Sequence, residues 1–300
     1  MPSEPLIAVF TKNRTNPAYA GARLGADRTA QRLGARTRHF VPESPDNIDQ
    51  QIALVDEALQ ARPDAFVFTP VHERAVDGAI ARIDAAGIAL VNIINRMHRG
   101  NRVAFVGSDD RALAIAVAER LFAHLNCRGN VVVMQGTPGS ITSRTRLEGF
   151  LAAAARHSGI AIVEQCAGDY QQETARRMMQ ALLARDTRID GLLCANDVMA
   201  LGAIEAMAAA GRMIPVVGVN ALPEAIVAIK RGMLLATVDF DATKMGCVAT
   251  EAAIRHLRGE RVPAEILLPV QVVDASNCAP WDRPIEQREC PRWEEVVGAV

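Results

Sequence analysis

Short apolar runs alternate with stretches of helical spacing along the chain. In its first part this pattern predicts strands at residues 6–10, 36–41, 65–69, 88–93 and 103–106. Helices are predicted at 19–33, 48–61 and 76–86, and Gly34 and Gly87 follow the first and last of them as helix stops. The repeated order of strand, helix and strand predicts an α/β fold with a doubly wound parallel sheet.

The same order of elements recurs later in the chain. The corresponding strand starts, offset by 124 to 126 residues, are Ile7 and Val131, Thr37 and Ala161, Ala65 and Gly191, and Ile88 and Ile214. An offset that stays constant to within two residues indicates two similar lobes rather than one continuous sheet.

Three extended stretches, at 105–109, 235–240 and 266–273, are predicted to pass between the lobes, with a helix at 244–257. We expect 1–108 plus 241–268 to form the first lobe and 109–240 plus 269–279 the second. Three crossing strands make a hinge, which permits closure around a ligand. The C-terminal tail, 280–300, fits neither lobe pattern, and packing over the hinge and partial disorder are both open for it.

Composition limits the classes of fold and function that the chain can have. Half of the residues are hydrophobic and only 4% are aromatic, which suits helices packed on parallel sheets. The net charge is -1 and the basic residues are scattered, so no nucleic-acid partner is predicted. No apolar run approaches the ~18 residues of a membrane span. The first residues lack a secretory signal, which leaves open whether one was removed or the protein is cytoplasmic.

The sequence lacks the usual motifs of catalysis and cofactor binding. It contains no phosphate-binding loop, nucleophile elbow, dinucleotide fingerprint or metal-binding helix, and its six histidines have no ligand spacing. We therefore predict no enzyme activity, no cofactor and no metal site. Residues 136–140 could approach an anion, but a tight turn is the preferred interpretation. Whether Cys278 and Cys290 form a disulfide is left open.

A polar turn at Asn196 and Asp197 joins an apolar strand at 189–194 to a helix at 198–210. Ligands of open α/β sheets bind beyond the carboxyl ends of the strands, so both side chains lie where a small molecule would be recognised. Capping of the helix is the alternative role for either residue.

Together with four other segments, this turn resembles the ribose-binding-protein-like periplasmic solute-binding proteins, whose fold is shared by effector domains of lactose-repressor-type regulators. The matching segments are TNPAY at 15–19, INR at 94–96, RTRLEGF at 144–150, ANDVMALG at 195–202 and VGVN at 217–220. The resemblance implies the type I periplasmic binding protein fold, in which two lobes joined by a three-strand hinge close on one small polar ligand.

The positions of the family's binding residues imply a set of ligand-binding residues in each lobe, to which we add the charged residues Lys12 and Asp239. They are Lys12, Asn16, Tyr19, Asn95 and Arg96 in the first lobe, and Arg146, Tyr170, Asn196, Asn220, Asp239 and Phe240 in the second. Tyr19 takes the place of a sugar-stacking aromatic. Arg96 and Arg146 would donate forked hydrogen bonds to ligand oxygens. Asn196 would bind ligand hydroxyls, whereas Asp197 caps the helix or orients Arg146.

Two departures from the family pattern bear on the ligand. Asn95 and Asn220 stand where hexose and pentose binders carry Asp. A site that loses acceptor charge but keeps its cations favours a ligand with its own negative charge or carbonyl groups, although Asp239 would restore one carboxylate. We therefore expect a sugar or polyol, with a sugar acid more favoured than in a typical member.

The resemblance implies a substrate-binding protein that delivers its ligand to the permease subunits of an ABC-type importer. We expect a periplasmic monomer. The alternative is the effector domain of a lactose-repressor-type transcriptional regulator, which would be cytoplasmic. Against it, only five residues precede the first strand, which leaves no room for a helix-turn-helix.

Overall fold

The structure, a computed structural model, describes residues 4–185 and 187–298 and divides into two compact units. Unit 1 contains the described residues of 1–108, 241–268 and 285–300, and unit 2 contains those of 109–240 and 269–284. The chain therefore passes between the units at 108–109, 240–241, 268–269 and 284–285. The last passage adds to the three predicted ones, because the C-terminal tail begins in unit 2 and continues in unit 1.

Strands and helices alternate through most of the chain. The strands are Leu6–Phe10 (β1), Arg36–Phe40 (β2), Ala65–Phe68 (β3), Ala89–Ile93 (β4), Ala104–Gly107 (β5), Arg128–Gln135 (β6), Gly159–Ala167 (β7), Gly191–Cys194 (β8), Val216–Val217 (β9), Ala236–Asp239 (β10), Glu265–Leu267 (β11) and Gln271–Asp274 (β12). The α-helices are Pro17–Leu33 (α1), Ile48–Gln60 (α2), Asp77–Ala85 (α3), Asp110–His124 (α4), Ile141–Ala154 (α5), Gln172–Leu183 (α6), Asp197–Ala209 (α7), Pro223–Lys230 (α8), Ala242–Leu257 (α9) and Trp293–Val297 (α10). Within the described residues, no helix is both long and apolar enough to cross a membrane.

Each unit is built on one six-stranded sheet, and the two strand orders correspond. The order is β11-β5-β4-β3-β1-β2 in unit 1 and β12-β10-β9-β8-β6-β7 in unit 2. All neighbours are parallel except β10 and β12, which are antiparallel. The predicted fold class and duplication are confirmed.

Helices bury the unit 1 sheet from both faces, which explains why its central strands are continuous apolar runs. One core contains Phe10, Phe66 and Phe68 together with buried residues of α2 and α3. Helix α9 packs against β3, β4 and β5 and against α1. The core of unit 1 is thus completed by a helix that lies far along the chain.

The single strand predicted at 266–273 is wrong. Strands β11 and β12 belong to different sheets, and the chain passes between the units at 268–269. Pro269 lies between them and has no N–H to donate to a strand ladder, so it separates the two strands.

Cys278 and Cys290 do not form a disulfide with each other. Cys290 is bonded to Cys247 of α9, while Cys278 is a buried free thiol. The disulfide attaches the C-terminal tail to α9 in unit 1. There, Trp293 is buried beneath the guanidinium group of Arg255, whose Cζ lies 4.8 Å from the ring centroid.

Candidate functional site

The loop after β1 carries Lys12 and Asn16 at the carboxyl edge of the unit 1 sheet. Asn13, which no motif singles out, fixes the loop, since its Oδ1 accepts a hydrogen bond from the backbone N–H of Asn16 at 3.0 Å. Asn16 Oδ1 accepts from the N–H of Ala18 at 3.0 Å and so caps α1. Lys12 is buried, and Tyr19 lies half-buried on the first turn of α1. The predicted residues of this loop therefore lie together at the start of one helix.

The loop after β4 carries Asn95 and Arg96. Asn92, a polar residue inside an otherwise apolar run, shapes this loop by donating from Nδ2 to the carbonyl oxygen of Asn95 at 2.8 Å. Asn95 is buried. Arg96 lies over the ring of Phe105, with Cζ 3.9 Å from the centroid, and pairs with Glu265 of β11. The carboxylate of Glu265 thus balances the charge of Arg96, which reduces the excess of positive charge predicted for the first lobe.

Arg146 on α5 is a buried cation at the carboxyl edge of the unit 2 sheet. Its Nε donates to Asp110 Oδ1 at 2.9 Å, and its Nη1 donates to the carbonyl oxygen of Ala195 at 2.6 Å. Its Cζ lies 5.7 Å from the ring centroid of Phe240, which is also buried. Asp110, not Asp197, is therefore the carboxylate that orients Arg146 by hydrogen bonding.

In the turn between β8 and α7, the roles of Asn196 and Asp197 differ from the predicted ones. Asn196 is the helix cap, because its Oδ1 accepts from the N–H of Met199 at 2.9 Å. Asp197 instead accepts from Thr237 Oγ1 at 2.7 Å and from the N–H of Leu222 at 2.9 Å. The predicted capping role of Asp197 is wrong because its Oδ1 is bonded to Thr237 of β10 and its Oδ2 to Leu222, which precedes α8. Burial raises the pKa of Asp197 to about 7.

Asn196 has a second feature beyond capping. Its residue is 1% exposed, and its Nδ2 finds no hydrogen-bond partner within residues 4–185 and 187–298. A buried N–H donor without a partner carries a desolvation cost of about 1–3 kcal/mol. A ligand oxygen placed against this amide would remove that cost.

The turn after β9 presents Asn220 at the same edge. Its backbone N–H donates to the carbonyl oxygen of Val238 at 2.9 Å, and its φ is 122°, which is unusual for a residue with a side chain. Ala221 also has positive φ, 49°, and its N–H donates to Thr237 Oγ1 at 3.2 Å. Asn220 Oδ1 is buried and has no hydrogen-bond partner in the described part of the chain. The strained turn therefore presents an acceptor at the end of β9, and β9 is adjacent to β8, which Asn196 follows.

Tyr170 follows β7 and lies directly over Gly136. A Cβ atom at Gly136 would stand 2.0 Å from Tyr170 Cζ, so only glycine leaves room for the ring. Asp169 and Tyr170 both have positive φ, 54° and 57°. Ser140 caps α5 by accepting from the N–H of Ser143 at 3.1 Å. These contacts account for residues 136–140 as a turn that packs against Tyr170, in agreement with the preferred interpretation.

Asp239 is the last residue of β10 and is buried. Its Oδ2 accepts from Trp281 Nε1 at 2.6 Å. Trp281 was not predicted as a site residue, and only its isolated position in the polar tail marks it in the sequence. The carboxylate that was predicted to bind the ligand therefore accepts a hydrogen bond from the C-terminal tail.

A separate cavity of about 600 Å³ opens at the opposite, amino-terminal edge of the unit 2 sheet. Met207, Met213, Ile214 and Met233 are among the residues that line it. None of the predicted ligand-binding residues does, so this cavity is distinct from the candidate site.

Within each unit, the predicted residues lie at carboxyl ends of strands, where open α/β sheets bind their ligands. The unit 1 group combines amides, a tyrosine, a buried lysine and an arginine. The unit 2 group combines two buried amides, a buried arginine, aromatic rings and a carboxylate. Such groups suit a small molecule rich in hydroxyls, because amides both donate and accept hydrogen bonds while aromatic rings contact C–H groups.

Comparison with known proteins identifies the family. Residues 7–261 match the family described as periplasmic binding protein domain. The chain belongs to this family. It is a periplasmic binding protein of the ribose-binding type, as the sequence motifs predicted.

Relatives and solved structures cover nearly the whole of this periplasmic binding protein. It is 27% identical to the ribose import binding protein of Bacillus subtilis over 266 residues, which is 89% of this chain and 85% of the relative. A periplasmic solute-binding protein of an ABC transporter from Actinobacillus succinogenes, solved with bound D-allose, has a TM-score of 0.87 and 27% identity, covering 91% of this chain and 98% of that one. A solute-binding protein from Bacillus halodurans with bound myo-inositol has a TM-score of 0.86 and 26% identity, covering 93% and 98%.

Proposed function

We propose that this periplasmic binding protein is the substrate-binding component of an ABC-type importer and binds a neutral sugar or polyol without converting it chemically. Its relatives include transport-binding proteins named for ribose and solved with D-allose or myo-inositol. We further propose that it works in the periplasm and passes its ligand to permease subunits.

One unpartnered amide atom in each of Asn196 and Asn220 carries the proposal. One offers a donor, Nδ2, and the other an acceptor, Oδ1, and both atoms are buried. They follow β8 and β9, which are adjacent in the sheet. Adjacent hydroxyls of a sugar or polyol can accept from one amide and donate to the other, and this would satisfy both groups at once.

The charges in the two units favour a neutral ligand over the sugar acid. Arg146 pairs with Asp110 and Arg96 pairs with Glu265, so each arginine has a carboxylate partner. The replacement of expected carboxylates by Asn95 and Asn220 is thus offset by other acidic residues. We propose that the arginines hold ligand oxygens by hydrogen bonds rather than by neutralising an anion.

Residues of both units would contact the ligand under this proposal. Asn16, Tyr19, Asn95 and Arg96 would contribute from unit 1, in addition to the unit 2 residues. This joint binding rests on the family to which the chain belongs.

Calorimetric titration tests the ligand class. D-ribose, D-allose and myo-inositol would be compared with aldonic and uronic acids of matched carbon number. We expect saturable 1:1 binding of at least one neutral compound, and recovery of that compound chemically unchanged after prolonged incubation. Tight binding of acids alone would contradict the neutral ligand, and a changed compound would contradict the role in binding without catalysis.

A further inference from the structure

Trp281 brings an aromatic ring to the carboxyl edge of the unit 2 sheet from outside the region that defines the family. It lies beyond residues 7–261 and after β12, in a short helical turn at Ala279–Trp281. The indole of Trp281 is half-buried, whereas Trp293 is buried in unit 1. The chain contains only these two tryptophans.

Hydrogen bonds fix the position of this ring. Trp281 Nε1 donates to Asp239 Oδ2 at 2.6 Å, and its backbone N–H donates to the carbonyl oxygen of Cys278 at 3.0 Å. The next residue, Asp282, accepts from Lys230 Nζ at 2.5 Å. Because an indole side chain has only two rotatable bonds, a strong bond at Nε1 leaves it little freedom.

Asp239 holds the indole at the carboxyl end of β10, the strand whose Val238 accepts a hydrogen bond from the backbone of Asn220. Side chains two residues apart on a strand share one face, and Thr237, on the same strand, bonds to Asp197 at 2.7 Å. Asp239 also acts electrostatically on Asp197. The neighbouring backbone pair, from the N–H of Asn220 to the carbonyl oxygen of Val238, is 2.9 Å long. The indole is therefore anchored at the end of the strand that adjoins Asn220.

From this arrangement we propose that Trp281 is a ligand-contacting residue that selects compounds with an apolar C–H face, and that Asp239 is its positioning residue. An aromatic surface at the same sheet edge as polar amides matches a sugar or polyol ring, which has hydroxyls on its rim and C–H groups on its faces. This inference rests on the proposed function. It adds a binding residue from the C-terminal tail, which the family pattern does not include.

Tryptophan fluorescence and calorimetry test the inference with D-ribose, D-allose and myo-inositol as probes. W293F leaves Trp281 as the only tryptophan, and W281F leaves Trp293. We expect the bound probe to change the emission of W293F and to leave that of W281F unchanged. W281A should weaken binding at least about tenfold, equivalent to ~1.4 kcal/mol, and W281F less, because it keeps an aromatic face. D239A should weaken binding in the same direction, and D239N less, since its amide oxygen can still accept from the indole.

Thermal unfolding of each variant checks that the fold persists, and W281F provides the aromatic control if W281A is unstable. Wild-type affinity in a folded W281A, or an emission of W293F that does not change when a probe binds, would overturn the inference while leaving the proposed function intact. Failure of all three probes to bind the wild-type protein would instead contradict the proposed function, and this inference with it.

Discussion

Asn196 uses the two ends of one amide group for two purposes. Its Oδ1 caps α7, while its Nδ2 is buried without a partner in the part of the chain that the structure describes. Serine is as good a cap as asparagine but offers no comparable donor to a ligand. The two roles of Asn196 can therefore be separated by substitution.

We expect N196S to keep most of the stability and to lose affinity for the ligand, by about tenfold for one hydrogen bond of ~1.4 kcal/mol. N196A should lose both, with a stability cost of about 1 kcal/mol. Asn47 provides the control, because it caps α2 by accepting from the N–H of Gln50 at 2.9 Å and is not among the predicted site residues. N47A should lower the free energy of unfolding without changing affinity. Equal affinity in N196S and wild type would assign Asn196 to capping alone.

The raised pKa of Asp197 predicts that the stability of the protein depends on pH. Its pKa is raised to about 7 by burial, against about 3.9 in an unfolded chain. Between these values the folded protein retains a proton that the unfolded chain releases, so the contribution of Asp197 to stability falls as pH rises from ~4 to ~7. Arg146 opposes the shift, while Asp239 adds to it.

We expect the free energy of unfolding of wild type, measured by denaturant titration between pH ~4 and ~8, to fall relative to that of D197N. The difference should approach at most about 4 kcal/mol, at ~1.4 kcal/mol per pH unit. Parallel profiles for the two proteins would show that Asp197 is already ionised in the folded state throughout this range.

Helices α1 and α9 approach each other closely because glycines line their contact. A Cβ atom at Gly246 would lie 2.0 Å from the carbonyl oxygen of Ala22, and one at Gly25 would lie 2.2 Å from that of Thr243. Backbone atoms cannot move aside as a flexible side chain can. This contact joins an early helix to the late helix that completes the unit 1 core.

We expect G246A to lower the free energy of unfolding by about 1–3 kcal/mol through overpacking. Gly78 is the matched control, because it also lies in a helix of unit 1 but a Cβ atom there would meet nothing within 4 Å. G78A should raise stability by ~0.5 kcal/mol through helix propensity. Thermal melts of both variants distinguish the two effects, and similar shifts would mean that the α1 and α9 contact can relax.

The sequence predicts well those strands and helices that can be recognised from the apolar pattern of their own residues. Strands such as β3 and β8 are apolar throughout, and the offset between the two halves of the chain reveals the duplication. The position of Asn196 and Asn220 also follows from strand ends. The partners of site residues do not, because Asp110, Thr237 and Asn92 meet them only through the fold. The pairing of Cys247 with Cys290 has the same cause, since spacing alone cannot select one pair among six cysteines.

At the scale of the whole molecule, a ligand bound by residues of both units should stabilise both. At a ligand concentration of 100 times the dissociation constant, the gain is about 2.7 kcal/mol. Hydrogen exchange of the backbone amides in β3 and β8 would report on units 1 and 2 separately. We expect slower exchange in both strands when the ligand is bound. Protection confined to β8 would mean that unit 2 binds the ligand alone.

The interleaving of the two units along the chain sets the order in which their cores can be completed during synthesis. Strands β3, β4 and β5 are made before unit 2, but α9, which covers one face of them, follows it. Unit 2 lacks only β12 and the residues up to 284 when α9 is made. The apolar sheet face that α9 covers is therefore made before its cover, and we expect a chain in that interval to be more prone to aggregation than the complete one.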